Sequence, residues 1–189
     1  MRWLLIPVAL FALSGCNRSQ EQNANEPAAQ AEAGPVKGVD RSHKGKPAPE
    51  ATFKDPDDGD ISLADFEGVP TLVNLWATWC APCVKELPTL DKLAQSHRVD
   101  GQLGVVAVSQ DMGPHASVEA FLKTNKIGDL GAFQDPKMAL SGALGVEVMP
   151  TTILFDAQGR EVWRYVGDLD WTSAEAARLL AEAGAPAKG

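Results

Sequence analysis

The chain has 189 residues, 44% of them apolar, enough for one ordinary domain with a real core plus an accessory segment. That content excludes a fold that survives only on its disulfides. A formal charge of −8 with no basic patch excludes a nucleic-acid binder, and the acidic surface serves solubility without naming a partner.

The opening, "MRWLLIPVALFALSGC", has one basic residue, Arg2, then an apolar stretch from Trp3 to Leu13. Such a stretch is short of the roughly 20 residues a membrane span needs and fits the apolar region of a signal peptide. Its end, "LSGC", resembles the lipobox of bacterial lipoproteins, in which cleavage ahead of Cys16 leaves a lipid-modified N-terminal cysteine. The resemblance implies a signal peptide over 1–15, export, and attachment to a membrane through acyl chains on Cys16. Asn17 leans the anchor towards the outer membrane. The alternative, a buried N-terminal helix with an incidental cysteine, finds no helical pattern after Cys16. Residues 16–48 hold almost no large apolar side chains and are rich in Ala, Gln, Glu, Gly and Pro. They read as a flexible, lipid-anchored tether, with His43 solvated in it. Once Cys16 is given to lipid, Cys80 and Cys83 are the remaining thiols, in a compartment where disulfide chemistry persists.

The folded domain is expected over 49–189. Phe53, then Ile61 with Leu63, predict short strands around the turn "DPDDGD". "TLVNLW" (71–76) is a buried strand interrupted by Asn74. From Cys80 onward, Val84, Leu87, Leu90 and Leu93 follow helical spacing, with Pro88 expected to kink the helix. "LGVVAV" (103–108) is a second strand covered on both faces, so strand, helix and strand form a right-handed parallel unit. Val118, Phe121 and Leu122 mark another helix. Asp135 as N-cap, Pro136 as first helical residue and Gly145 as terminator frame the next. "TTILFDAQGREVWRYV" is an antiparallel hairpin turning at Gly159, and Thr172 with Glu175 forms a capping box that opens the last helix. The fold class is α/β: a mixed central sheet flanked by helices.

In "WATWCAPC", Cys80 falls where a strand ends and a helix begins, the place where open α/β sheets put their chemistry. The helix N-terminus offers unpaired N–H groups and a positive dipole end, which favour a thiolate over a thiol. Cys83, one turn on, can attack a mixed disulfide formed at Cys80, and Pro82 restricts the first turn between them. A static disulfide closing so small a loop constrains the unfolded chain little. A structural zinc site calls for four Cys or His ligands, and His97 and His115 lack ligand spacing to the pair. A Cu(I)-binding dithiol stays open, since two thiolates suit that ion, but the lack of a suitably placed third His or Met ligand, with Met149 the one obvious candidate, counts against it. A peroxidase would place a Thr and Pro pocket before its cysteine, which Thr78 and Trp79 do not supply.

"LVNLWATWCAPC", Pro88 in the following helix and "VMPTTILFDAQGR" together resemble the thioredoxin superfamily, and within it the membrane-anchored TlpA/ResA-like thiol–disulfide oxidoreductases. The resemblance runs from about Pro47 to the last helix and implies a redox-active Cys80–Cys83 disulfide. It also implies a cis proline at Pro150 facing the dithiol. The substrate groove would then be formed by Trp79, Ala81, Pro82, Met149, Pro150 and Thr151. Glu86 matches a carboxylate of the reducing branch, where it moves a proton for the resolving thiol; the alternative is a solvated helix glutamate. Cytosolic thioredoxins carry aspartate where this chain has Asn74, which cannot transfer protons and is expected to hydrogen-bond neighbouring backbone. Trp76 reads as core and Lys85 as surface. The stretch 110–144 is similar to the family's central insertion, with "QDMGPH" a surface that can bear on partner choice. The implied function is reduction of exported protein disulfides, for example in cytochrome c maturation. Electrons would come from the dithiol of a membrane or periplasmic protein, with no dissociable cofactor and no metal.

Overall fold

The computed structural model describes residues 37–98 and 101–184; the expected signal peptide, Cys16 and the expected tether up to residue 36 lie outside the described residues. The fold begins before the expected boundary at 49. Gly38–Asp40 (β1) pairs antiparallel with Arg164–Val166, and backbone bonds from Gly45, Lys46 and Ala48 hold the following turn to Gly159 and Glu161. An edge strand is secured by its backbone ladder, so a polar stretch needs only one apolar side chain to join the sheet. Here that side chain is Val39, packed against the core.

Thr52–Lys54 (β2) and Asp60–Ser62 (β3) form the first hairpin, and Leu63–Phe66 follows as a short 3₁₀ turn. Thr71–Trp76 (β4) is buried along its whole length. Its side chains alternate between two cores, Leu72 and Trp76 on one face and Val73 and Leu75 on the other. The chain then enters α1 (Ala81–His97) and returns as β5 (Gly104–Ser109), parallel to β4 in register from Thr71↔Gly104 to Trp76↔Ser109. The helix runs unbroken through Pro88.

The segment that resembles a central insertion holds α2 (His115–Thr124), a two-residue β6 (Phe133–Gln134) parallel to β5, and α3 (Ala139–Ala143). The last of these starts later than expected. Met138 takes a left-handed φ of 54°, which leaves Pro136 outside the helix. Asp135 still caps it from a distance, accepting from the N–H groups of Ala139, Leu140 and Ser141 at 2.8, 2.9 and 3.2 Å.

Thr151–Phe155 (β7) comes back antiparallel to β4, and Glu161–Val166 (β8) completes the expected hairpin with Gly159 at φ 67° in its turn. The final helix, α4 (Ala174–Leu180), is capped by Ser173, whose hydroxyl accepts from Ala176 N, one residue later than the capping box read from Thr172. The Thr172 hydroxyl bonds Asp170 instead. The eight strands among the described residues form one mixed sheet in the order β1-β8-β7-β4-β5-β6-β2-β3. One core lies against α1, α2 and α4, and the other against α3.

Candidate active site

Strand β4 ends at Trp76, wholly buried, and the chain turns through Ala77–Trp79 before Cys80 caps α1 with extended backbone. This turn is clamped to the next loop. Asp111 accepts from Thr78 N at 2.9 Å and from its hydroxyl at 2.7 Å, and Ser109 Oγ donates to the same carboxylate. Cys80 and Cys83 are joined as a disulfide with their Cα atoms 5.3 Å apart. Cys80 is 7% exposed and Cys83 fully buried, so an incoming sulfur meets Cys80. Helix α1 carries no acidic side chain in its first turn. When the disulfide opens, a thiolate at Cys80 is the anion its N-terminal N–H groups and dipole can stabilise. Ala81 and Pro82 lie exposed beside it.

Glu86 is not a solvated helix residue. It sits on the Cys83–Leu87–Leu90 stripe of α1, 3% exposed. One carboxylate oxygen accepts from Asn74 Nδ2 at 2.8 Å; the other accepts from Leu169 N at 3.0 Å and Trp171 Nε1 at 3.3 Å. Burial pushes its carboxyl from 4.5 up to about 7, outweighing the opposing effect of the three donated hydrogen bonds. A carboxyl with that value can hold or release a proton near neutral pH. The segment Gly167–Trp171 covers it. There Trp171 N donates to Thr89 Oγ1, and Asp168 pairs with Lys37 and with the exposed Lys85. Those two lysines hold the Asp168 carboxyl well below the usual carboxylate range. Asn74 departs from its expected backbone partners: its Nδ2 bonds two side chains, Glu86 and Thr152.

The Met149–Pro150 peptide is cis. Because Thr151 pairs with Leu75, the residues just before β7 stand at the end of the sheet from which the Cys80 turn departs. Thr151 Oγ1 donates to Val148 O at 2.7 Å, and Gly167 N to Pro150 O at 2.8 Å, fixing the loop. Met149 packs against the cluster that contains both cysteines.

Val148 escaped the sequence reading, and Met112 was read there only as part of the "QDMGPH" surface. Among the described residues, four large apolar side chains stand exposed: Trp79 (68%), Met112 (79%), Val148 (38%) and Met138. The first three rise from loops at one end of the adjacent strands β4, β5 and β7. Met112 is held between two carbonyls, Asp111 O and Gly113 O, that both accept from Gln134 Nε2. The available signal was the apolar Met112 within the polar "SQDMGPH", and the sequence alone does not place that loop beside Trp79. His97 and His115 have other surroundings. His97 ends α1, about 24 Å along the helix from Ala81 at 1.5 Å per residue, and His115 Nε2 contacts Ala132 O. Among the described residues no group of three or more His, Cys, Asp or Glu side chains is arranged for a metal ion.

Comparisons with known proteins agree with this geometry. The sequence model of the Redoxin family matches residues 43–180. A thiol-disulfide oxidoreductase ResA from Bacillus thuringiensis is 31% identical over 125 residues, 66% of this chain and 70% of that protein. The thioredoxin-like protein YneN of Bacillus subtilis is 31% identical over 118 residues, 61% of this chain and 67% of that protein. Among solved structures, a putative thiol:disulfide interchange protein DsbE from Chlorobium tepidum superposes with a TM-score of 0.63 at 28% identity, covering 75% of this chain and 98% of that one.

Proposed function

Since the chain belongs to the Redoxin family, as a ResA-like thiol–disulfide oxidoreductase of thioredoxin-like fold, we propose that it reduces disulfides of exported proteins from a lipid-anchored position outside the cytoplasm. In the cycle, the Cys80 thiolate attacks one sulfur of a substrate disulfide, forming a mixed disulfide and releasing the other sulfur as a thiolate that takes up a proton. Glu86 accepts the proton of the Cys83 thiol, directly or through one water. The Cys83 thiolate then attacks Cys80 Sγ, closing the Cys80–Cys83 disulfide and releasing the second substrate sulfur as a thiolate that takes up a proton from Glu86 or solvent. Two electrons pass to the substrate, and a dithiol of another exported or membrane protein must return them.

The observation that carries this reading is the buried Glu86 carboxyl on the Cys83 face of α1, beside an accessible Cys80 and a buried Cys83. A proton acceptor set inside the core serves the resolving thiol, which solvent does not reach. Trp79, Ala81, Pro82, Met149, Pro150 and Thr151 form the substrate groove, and Met112 and Val148 extend its rim. The apolar stretch ahead of Cys16 supports export and anchoring; with β1 in the sheet, the tether ends near Lys37. Cytochrome c maturation is one setting that supplies such substrates.

Turnover of a protein disulfide tests the mechanism: the Cys80→Ser protein is expected to lose it, and undiminished turnover would sink the scheme. The reduction potential tests the direction. A strongly negative value fits a reductant, whereas one near that of a strong oxidase, about −120 mV, reverses the electron flow. Acyl labelling that persists in Cys16→Ala would exclude the anchor.

A further inference from the structure

Glu86 is the proton-carrying group of the function proposed above, on which this inference rests, and its neighbour Asn74 holds an atom without a use. The Asn74 side chain is wholly buried. Its Nδ2 donates to Glu86 Oε1 at 2.8 Å and to Thr152 Oγ1 at 2.9 Å, while its Oδ1 has no hydrogen-bond partner. Folds ordinarily avoid a buried amide oxygen left in that condition, unless a second arrangement of the same groups uses it.

Donor and acceptor counting supplies that arrangement. Ionised Glu86 only accepts, and its three partners, Asn74 Nδ2, Leu169 N and Trp171 Nε1, all donate. Protonated Glu86 has a hydrogen of its own to give, and none of these atoms can take it. The indole and the backbone N–H have no acceptor to offer, but the Asn74 amide does. Half a turn about its terminal torsion, which is broad and two-fold, exchanges Oδ1 for Nδ2 in place. Oδ1 then faces Glu86 Oε1 and Thr152 Oγ1, and each oxygen carries a proton that can point to it, while Nδ2 moves to the place Oδ1 had, so in the acid form the unpaired group falls on the Asn74 amide instead of on the Glu86 proton.

We propose that Asn74 and Thr152 are positioning residues that form a proton-coupled amide switch. Asn74 donates to the Glu86 carboxylate and turns to accept from the Glu86 acid, while the Thr152 hydroxyl changes from acceptor to donor in step. No electrons move and only hydrogen bonds are exchanged; the proton arrives from the resolving thiol or from solvent and stays on Glu86 Oε1. The charged and titratable groups around the carboxyl are Asp168 in the covering segment, Tyr165 on β8, Lys37 ahead of β1, and Lys85 through its pair with Asp168. None of them hydrogen-bonds Glu86. Among the described residues, Asn74 is therefore its one partner able to serve both protonation states. The arrangement also links Glu86 to β7, two residues past Pro150, so the proton state of the carboxyl is felt at the strand that follows the groove loop.

Nuclear magnetic resonance of the oxidised, isotope-labelled protein between pH 5 and 9 tests this without a substitution, by following Glu86 Cδ and the Asn74 side-chain NH₂ together. The expected result is one shared midpoint, with Glu86→Gln holding the Asn74 NH₂ at its low-pH position throughout. Because the switch serves both protonation states, Asn74→Ala removes a hydrogen bond from each and should move the Glu86 midpoint by less than about one pH unit, whereas a raise of about one unit or more, the loss of a donor to the carboxylate alone, would overturn the switch. An Asn74 amide that stays fixed while Glu86 titrates overturns the switch and leaves the proton role of Glu86 standing. A Glu86 carboxyl that does not titrate in this range overturns both.

Discussion

Replacing Glu86 with Gln keeps the shape of the side chain and removes its charge, and the consequence for stability follows from the burial of the carboxyl. In the unfolded chain this group ionises near 4.5, and in the fold only near 7. Between those values the folded protein holds one proton more than the unfolded chain. Stability is then fully present below about pH 4.5, falls as pH rises, and levels off above about 7. The rise from 4.5 to about 7 corresponds to about 3 kcal/mol at 1.36 kcal/mol per pH unit. Urea unfolding with the disulfide intact, at pH 5 and pH 8, measures it. Because the unfolded carboxyl is already largely ionised at pH 5, the difference between wild type and Glu86→Gln should shift by about 2–3 kcal/mol across that interval, with the wild type the one that weakens. The same substitution should lower turnover by about 100-fold and flatten its pH dependence near neutrality. Parallel stability curves for the two proteins would refute the reasoning, since every other titrating group is common to both.

Three further outcomes are expected. Cys83→Ser should stall the cycle with substrate attached to Cys80, visible by mass spectrometry as a mixed disulfide; rapid turnover without such an adduct would contradict the order of attack. Met112→Ser should lower kcat/KM for a protein disulfide several-fold while leaving the rate with oxidised glutathione unchanged, and equal loss with both substrates would remove Met112 from docking. Arg164 bonds Glu161 through two nitrogens at 2.8 Å and donates to Leu144 O, all buried. Arg164→Met strands the Glu161 charge and should cost about 3–5 kcal/mol in denaturant unfolding; a loss below about 1 kcal/mol, typical of an exposed pair, would refute it.

What could be read from the sequence was what a periodic pattern records. The run Thr71–Trp76, the helical spacing from Val84 to Leu93 and the hairpin around Gly159 each bury a regular set of side chains, so their positions follow from the residues alone. Strand β1 escaped because "GVD" has one apolar residue and is held by backbone bonds, which leave no compositional trace. The start of α3 moved because Asp135 reaches across the left-handed Met138 to cap it, where the local pattern pointed to an ordinary cap. The dithiol and Pro150 were legible as motifs. Glu86 carried a signal as well, since a carboxylate in the Cys83–Leu87–Leu90 stripe must face the core. Its partners were not legible: Asn74 comes from β4, and Leu169 and Trp171 from the segment after β8, two segments that only the packed fold brings to α1.

That assembly divides the site into two sides. Sulfur exchange takes place where Cys80 reaches the surface, within a rim made by the loops of β4, β5 and β7, and that rim can vary with the partner. In the proposed cycle, proton exchange is confined beneath it, where Glu86 accepts from Asn74 on β4 and from Leu169 and Trp171 in the segment after β8. The two sides meet at Cys83, which is buried and belongs to the same helix face as Glu86. Such a division separates the residues that select a substrate from those that set the pH dependence of turnover. Changes at Met112 or Val148 should therefore move kcat/KM between partners, while changes at Asn74 or Glu86 move the pH profile with every partner alike.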